Sequence, residues 1–365
     1  MPGKRFSFCG CGCDTSAMGA NSTRRNFLAG AASVAGAAFS APVWAQGQTA
    51  APFDASKGKR IDIHHHLAPP FWIPEIKKRN TGQRPLEEWT VQKSLDVMGK
   101  AGIDTSMVSI SEPGVWFGDN EEARRLARET NEWGAKLAHD YPGKFGLLAS
   151  LPIPDIDGSL KEIAYAYDVL KVDGICLMTS YAGKYLGDPS LTPVMEELNR
   201  RKAVVFTHPV KADCCRNLVP DIGDNTIELA TDTARTMAGL LISGTTTRFP
   251  DIRFIFSHAG GTLPALTGRM IAQATSPAAK QRLPNGPVPE MQKLFYDTAN
   301  AANPWALAPL LKLVSTSQIL YGTDFPFRSP EDTAKGLRDV GLFNAAELEA
   351  IDRGNAVRLL PRLKA

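Results

Sequence analysis

A chain of 365 residues with 41 Lys+Arg against 38 Asp+Glu has a net charge of only +3. That balance gives no basic footprint for nucleic acid or an anionic membrane surface. Of six cysteines, three are crowded at positions 9, 11 and 13; the other three, Cys176, Cys214 and Cys215, are too few and odd in number for a disulfide framework.

In chain order, residues 1–45 read as an export signal. "NSTRRNFLAGAASVAGAAFSAPVWA" holds Arg24-Arg25, then Phe27 and Leu28, a weakly apolar Ala/Gly run and a small-residue cleavage site at Val43-Trp44-Ala45. This resembles a bacterial twin-arginine signal. Pro42 and the Gly and Ala content make it a poor spanning segment. The expectation is export of the folded protein by the twin-arginine translocase to the periplasm, without stable membrane insertion. Cys9, Cys11 and Cys13 precede the arginines and leave with the signal; a start at Met18 would omit them altogether. Cleavage removes Lys4, Arg5, Arg24 and Arg25 against Asp14, so the net charge of +3 falls to zero. Residues 46–59 are expected to be a linker and 60–365 one large domain.

The domain alternates short apolar runs with longer amphipathic ones. Eight strands are predicted: "RIDIH" near Ile61, "SMVSI" near Val108, "FGLLASL" near Leu148, "GICLM" near Ile175, "AVVFTH" near Val205, "RFIFSH" near Ile255, "LFYDT" near Tyr296 and "QILYGTD" near Leu320. "NEEARRLARETNEWGAKLAHDY" repeats Leu126, Thr130, Trp133 and Leu137 at helical spacing and stops at Pro142-Gly143, and "SLTPVMEELNRRK" reads as a helix capped by Ser190. Strand–helix alternation repeated eight times predicts a (β/α)8 barrel. A doubly wound open sheet is the weaker option, because no Gly-rich phosphate loop follows the first strand. The segment Leu67–Thr90, rich in Pro, Trp and charge, is predicted to be an insertion between the first strand and its helix that covers the barrel mouth. "PAAKQRLPNGPVPE" reads as a long surface loop before the seventh strand.

Barrel enzymes carry their chemistry at the C-terminal ends of the strands. Here the first strand ends in His64-x-His66, the fifth in His208, the sixth in His258 and the eighth in Asp324. Alternation along a strand puts His64 and His66 on one face and His65 on the other. Three imidazoles and a carboxylate suit one divalent ion, Zn²⁺ first, with Mn²⁺, Fe²⁺ and Co²⁺ as alternatives. His258 is then left over for proton transfer.

"IDIHHH", "HP", "SHAGGTLPALTGR" and "GTDFPF", in this order and spacing, resemble the amidohydrolase superfamily. Within it they resemble the aminocarboxymuconate semialdehyde decarboxylase branch, with its salicylate- and resorcylate-type decarboxylases. "DPSLTPVMEELNRRKAVVFTHP" and "TRFPDIRFIFSHAGGTLP" look closest to bacterial proteins grouped with 6-methylsalicylate decarboxylase. Most hydrolases of the superfamily carry a bridging carboxylated lysine at the end of strand four. Here that strand ends "GICLMTS", Lys171 precedes it and Lys184 lies beyond it, which implies a single metal. The resemblance implies His64, His66, His208 and Asp324 as metal ligands and His258 as the catalytic histidine. It also implies Arg269 as an arginine that reaches a neighbouring subunit's site to grip a substrate carboxylate, and Phe327 as a substrate-packing aromatic. It further implies a homodimer or homotetramer, and non-oxidative decarboxylation of a small aromatic carboxylate. The proton for ring carbon C1 then comes from Asp324, or through His258 acting on a water at the metal. Metal-dependent hydrolysis of a lactone, amide or ester is the second class, and a non-catalytic exported binding protein the third.

The remaining candidates are structural. Asp62 is placed on the strand face opposite His64, in a structural hydrogen bond, and His65 supports or packs. His139 is a surface residue at a helix C-terminus, where a cation is favoured. Cys214-Cys215 are read as free thiols. Trp116, in the loop after the second strand, is left between lining the pocket and lying exposed.

Overall fold

Residues 60–364 are described by the structure, a computed structural model; the export signal and the linker lie outside the described residues. All eight predicted strands form and pair in parallel, in the order β1-β2-β3-β4-β7-β8-β9-β10. They are β1 (Arg60–His66), β2 (Ile103–Ser109), β3 (Phe145–Ser150), β4 (Gly174–Met178), β7 (Val204–His208), β8 (Arg253–Phe256), β9 (Phe295–Asp297) and β10 (Ile319–Leu320). A small antiparallel hairpin, β5 (Ser180–Tyr181) and β6 (Lys184–Tyr185), stands outside the barrel sheet. The strands read as near-continuous apolar runs because each is covered on both faces, by the barrel interior and by the surrounding helices. No helix among the described residues is long and apolar enough to cross a membrane.

The long helix Asn120–Asp140 follows its predicted stripe: Leu126, Thr130 and Leu137 are buried, and Trp133 is half-buried edge-on to Trp89. Asp119 caps it by accepting from the Glu122 amide. Two local expectations are corrected. Ser190 is not the cap of the following helix. Asp188 accepts from both the Ser190 amide and hydroxyl and starts the turn Pro189–Leu191, which runs into the helix Thr192–Arg200. The Pro-rich segment before β9 is not a plain loop but two short helices, Pro277–Arg282 and Pro287–Met291. Each opens on a proline, whose fixed φ suits the first helical turn and whose missing N–H is not needed there.

The insertion Leu67–Thr90 folds over the C-terminal mouth. Its helix Trp72–Lys78 drives the fully buried Trp72 into the core, where the indole N–H donates to the Gly114 carbonyl at 2.9 Å. Gln83 and Pro85 then line the cavity above the strand ends. Thr90 ends the insertion by capping the helix Val91–Ala101.

The seam between β10 and β1 is closed by separate bonds rather than a regular ladder. Ile63 N–H donates to the Tyr321 carbonyl, His66 N–H to that of Phe325, and Asp324 N–H to that of His64. Asp62 fastens this seam. Strict alternation would put Asp62 with His64, but the β1–β2 register shifts between Asp62 and His65, and the carboxylate sits with His65. It accepts from the His64 and Thr323 amides at 3.0 Å, the Thr323 hydroxyl at 2.6 Å and His65 Nδ1 at 3.1 Å. Removing one partner from so buried a cluster strands several donors at once. Asp62→Ala is therefore expected to lower unfolding free energy by about 3–5 kcal/mol, read from urea denaturation midpoints. A loss under about 1 kcal/mol would contradict this account of the seam.

Candidate metal centre

The strand ends bring His64, His66, His208 and Asp324 together, all buried, each with one ligand atom within 4.8 Å of the others. His64 Nε2 and His66 Nε2 are 3.1 Å apart and lie 3.2 and 3.1 Å from Asp324 Oδ1. His208 closes the group with its ring edge-on to His66, centroids 4.7 Å apart. The floor is apolar: the Phe206 ring packs against His64 at 4.9 Å.

What makes the set a ligand cage is the other side of each ring. His64 Nδ1 faces Asp297 Oδ2 at 2.8 Å, His66 Nδ1 faces the Ser109 carbonyl at 3.3 Å, and His208 Nδ1 faces the Pro209 carbonyl at 2.9 Å. All three partners are acceptors, so each Nδ1 carries a hydrogen and each Nε2 points inward. Three inward imidazole nitrogens and a buried carboxylate fit one borderline divalent ion. Lys171 lies before β4, at the opposite end of that strand, and Lys184 is exposed on β6.

Asp297 was missed by sequence reasoning, although "LFYDT" ends the seventh barrel strand in an acid, as the eighth ends in Asp324. Besides His64 it takes the backbone N–H of His258 at 2.8 Å and of Ala299 at 3.0 Å. It thus ties the His258 turn to the His64 ring. His258 Nε2 lies 3.4 Å from Asp324 Oδ2 but makes no hydrogen bond, which leaves a buried, unpartnered nitrogen at the cavity. His258, Ala259, Asn300 and Asp324 all have positive φ, between 54° and 64°. Four such left-handed residues thus meet at the cage and its cavity. Gly322 is required for room: a Cβ there would stand 2.9 Å from the Asp297 Cβ and 3.0 Å from that of His64.

Charge in the metal-free cage is divided unevenly. Burial pulls His64 down, but the Asp297 and Asp324 carboxylates overcome it and raise the imidazole to about 10. Burial lowers His66 despite its hydrogen bond to Asp324, and burial with the neighbouring imidazoles holds His208 well below the ordinary value. Burial pushes Asp324 up, yet the His64 charge and the surrounding imidazoles keep it ionised. In the metal-free cage His64 is thus the imidazole whose charged form is favoured.

Above the cage is a cavity of about 610 Å³, of the size that takes a small ligand. Phe327 lines it, with its ring 5.8 Å from that of His66; Ser111, Glu112, Asn300 and Arg328 line it too. Arg269 is not there. It is exposed on the helix Leu263–Gln273, in a separate surface groove with Leu266 and Met270. His65 turns away as expected, stacked on Phe325 and held by Asp62 and Ser94. His139 is exposed beside Asp140. Trp116 is half-buried against the core and does not line the cavity. Cys214 and Cys215 are free thiols on an outer loop, the second accepting from Arg235 at 3.6 Å.

Residues 61–362 match the family described as Amidohydrolase. Decarboxylase macB of Penicillium terrestre is 34% identical over 84% of this chain and 96% of its own length. The 6-methylsalicylic acid decarboxylase of Penicillium expansum is 33% identical over 84% of this chain and 97% of its own. A solved amidohydrolase II structure superposes with a TM-score of 0.77 at 30% identity, covering 83% of this chain and all of that one.

Two outcomes follow for metal uptake. Loading must displace the His64 proton, so affinity should rise with pH up to about 10, with about one proton released per ion at pH 7. Calorimetry in two buffers of different ionisation enthalpy reads this directly. Asp297→Asn, which swaps an acceptor for an amide beside His64 Nδ1, should weaken the metal affinity about 10- to 100-fold in chelator competition.

Proposed function

This chain belongs to the amidohydrolase family, and on that premise we propose that it is a metal-dependent non-oxidative decarboxylase of a small ortho-hydroxy aromatic acid, with 6-methylsalicylate as the favoured substrate. The carrying observation is the cage itself: three inward Nε2 atoms and Asp324 Oδ1, with His258 Nε2 and Asp324 Oδ2 facing one cavity. That similar proteins bear the name decarboxylase supports the reading.

Loss of CO2 from an aromatic ring demands protonation of the carbon that bears it and a carboxylate turned out of conjugation. A divalent ion, Zn²⁺ by preference, would supply electrostatic stabilisation of the substrate's negative charge. His64, His66, His208 and Asp324 would hold it. Phe327 packs the flat ring and fixes its plane. Asp324 Oδ2, beside His258 Nε2, stands where a proton can be held for the ring carbon, with His258 to restore it. Gln83 and Pro85 form part of the cavity wall above the cage.

Arg269 needs a second copy to act. Its place in a surface groove, with Leu266 40% and Ile271 47% exposed on the same helix, supports a homodimer or homotetramer in which it reaches the neighbouring cavity. Export through the twin-arginine translocase to the periplasm completes the proposal, resting on Arg24-Arg25 and the run that follows them.

The test is incubation of the metal-loaded protein with 6-methylsalicylate in D2O. Release of CO2 with one deuterium on the ring carbon that lost it is the expected result. Ring-opening of small lactones without CO2 from any hydroxybenzoate would replace this reading with the hydrolase one. His258→Asn should keep one equivalent of metal and lose turnover by about 100-fold or more; full activity would remove His258 from the mechanism.

A further inference from the structure

Asp324 has two oxygens with different neighbours, and something must keep them sorted. Oδ1 faces His64 and His66, and Oδ2 faces His258 and the cavity. The Asn300 side-chain amide donates to Oδ2 at 2.6 Å. The Asn300 carbonyl in turn accepts from Arg328 Nε. An amide between a guanidinium and a carboxylate has only one workable orientation, carbonyl to the cation and NH2 to the anion. The chain brings the three together by two local devices. Asn300 follows β9 in a left-handed conformation, which Asn tolerates better than most residues. Arg328 is folded back by the turn in which the Phe327 and Arg328 amides donate to the Asp324 carbonyl at 2.8 and 3.3 Å.

We propose that Arg328 and Asn300 form a positioning relay that locks the Asp324 carboxylate, one oxygen for the ion and one for the reacting carbon. Asn300 is the positioning residue and Arg328 its anchor; neither touches the metal. Without the amide, Asp324 is free to rotate about its Cα–Cβ and Cβ–Cγ bonds and turn both oxygens toward the cage. The ion is then still held, but the oxygen that faces His258 and the cavity leaves its station. The inference rests on the decarboxylase reading for its kinetic arm only.

The test uses the full chain loaded with Co²⁺ and four variants. Asn300→Gly keeps the left-handed backbone and removes the amide. It should lower kcat by about 30- to 100-fold with KM within about twofold. Arg328→Ala should lower kcat by about three- to tenfold, and Arg328→Lys, which still offers a donor to the Asn300 carbonyl, should recover most of that. The double variant Asn300→Gly/Arg328→Ala should be no worse than Asn300→Gly alone, since a relay cut once cannot be cut again. Additive losses, or a raised KM in Arg328→Ala, would assign Arg328 to direct substrate binding and overturn the relay. The second arm needs no turnover. Asn300→Gly should retain one equivalent of Co²⁺ and shift its visible absorption, because the Asp324 ligand changes its presentation. An unchanged spectrum overturns the proposal. If the wild-type protein decarboxylates nothing, the functional reading falls while the cobalt spectra still decide the relay.

Discussion

Each ligand imidazole commits its Nδ1 hydrogen to a fixed acceptor, and the function of the site depends on that commitment. An imidazole has two equivalent-looking nitrogens, and a ring free to choose would leave the cage half-formed. Here Asp297, the Ser109 carbonyl and the Pro209 carbonyl choose for it. Asp297 matters most, since its second oxygen also takes the His258 amide. One buried carboxylate thus orients a ligand ring and places the turn that carries the proton-transfer candidate.

The second requirement is that the barrel close. His64 and Asp324 are separated by most of the domain in sequence, and they meet only because β10 returns to β1. Asp62 performs that closure without facing the ion. It bonds to Thr323, the residue just before Asp324, and to the backbone and side chain of the histidine run. The same seam bonds that finish the cylinder bring the carboxylate to the imidazoles, so the ligand set is a by-product of closure.

Most of this was legible in the sequence because the barrel repeats one physical unit. Apolar runs gave the eight strands, and the residue types at their ends gave the cage, with His64, His66, His208 and Asp324 drawn together by the fold. What stayed hidden depends on more than one strand at a time. Asp297 was visible as a strand-end acid, but its role appears only when the His64 ring is seen against it. Asn300 and Arg328 gave no pattern, since their bonds link the loops that follow β9 and β10. Asp62 was placed correctly, opposite His64 and in structural hydrogen bonds, but the reason lay hidden: a register shift of β1 against β2, not simple alternation, puts it with His65. Proline misled in the segment before β9, where it opened helices instead of excluding them.

The roof contributed by Leu67–Thr90 has a consequence of its own. Its anchor is Trp72 on the Gly114 carbonyl, and it reaches the cavity through Gln83 and Pro85, none of which bonds to the ion's cage. The roof and the ligand cage are therefore held by separate sets of bonds. A change in Gln83 or Pro85 would reshape the cavity's upper wall while leaving every bond that orients the imidazoles in place.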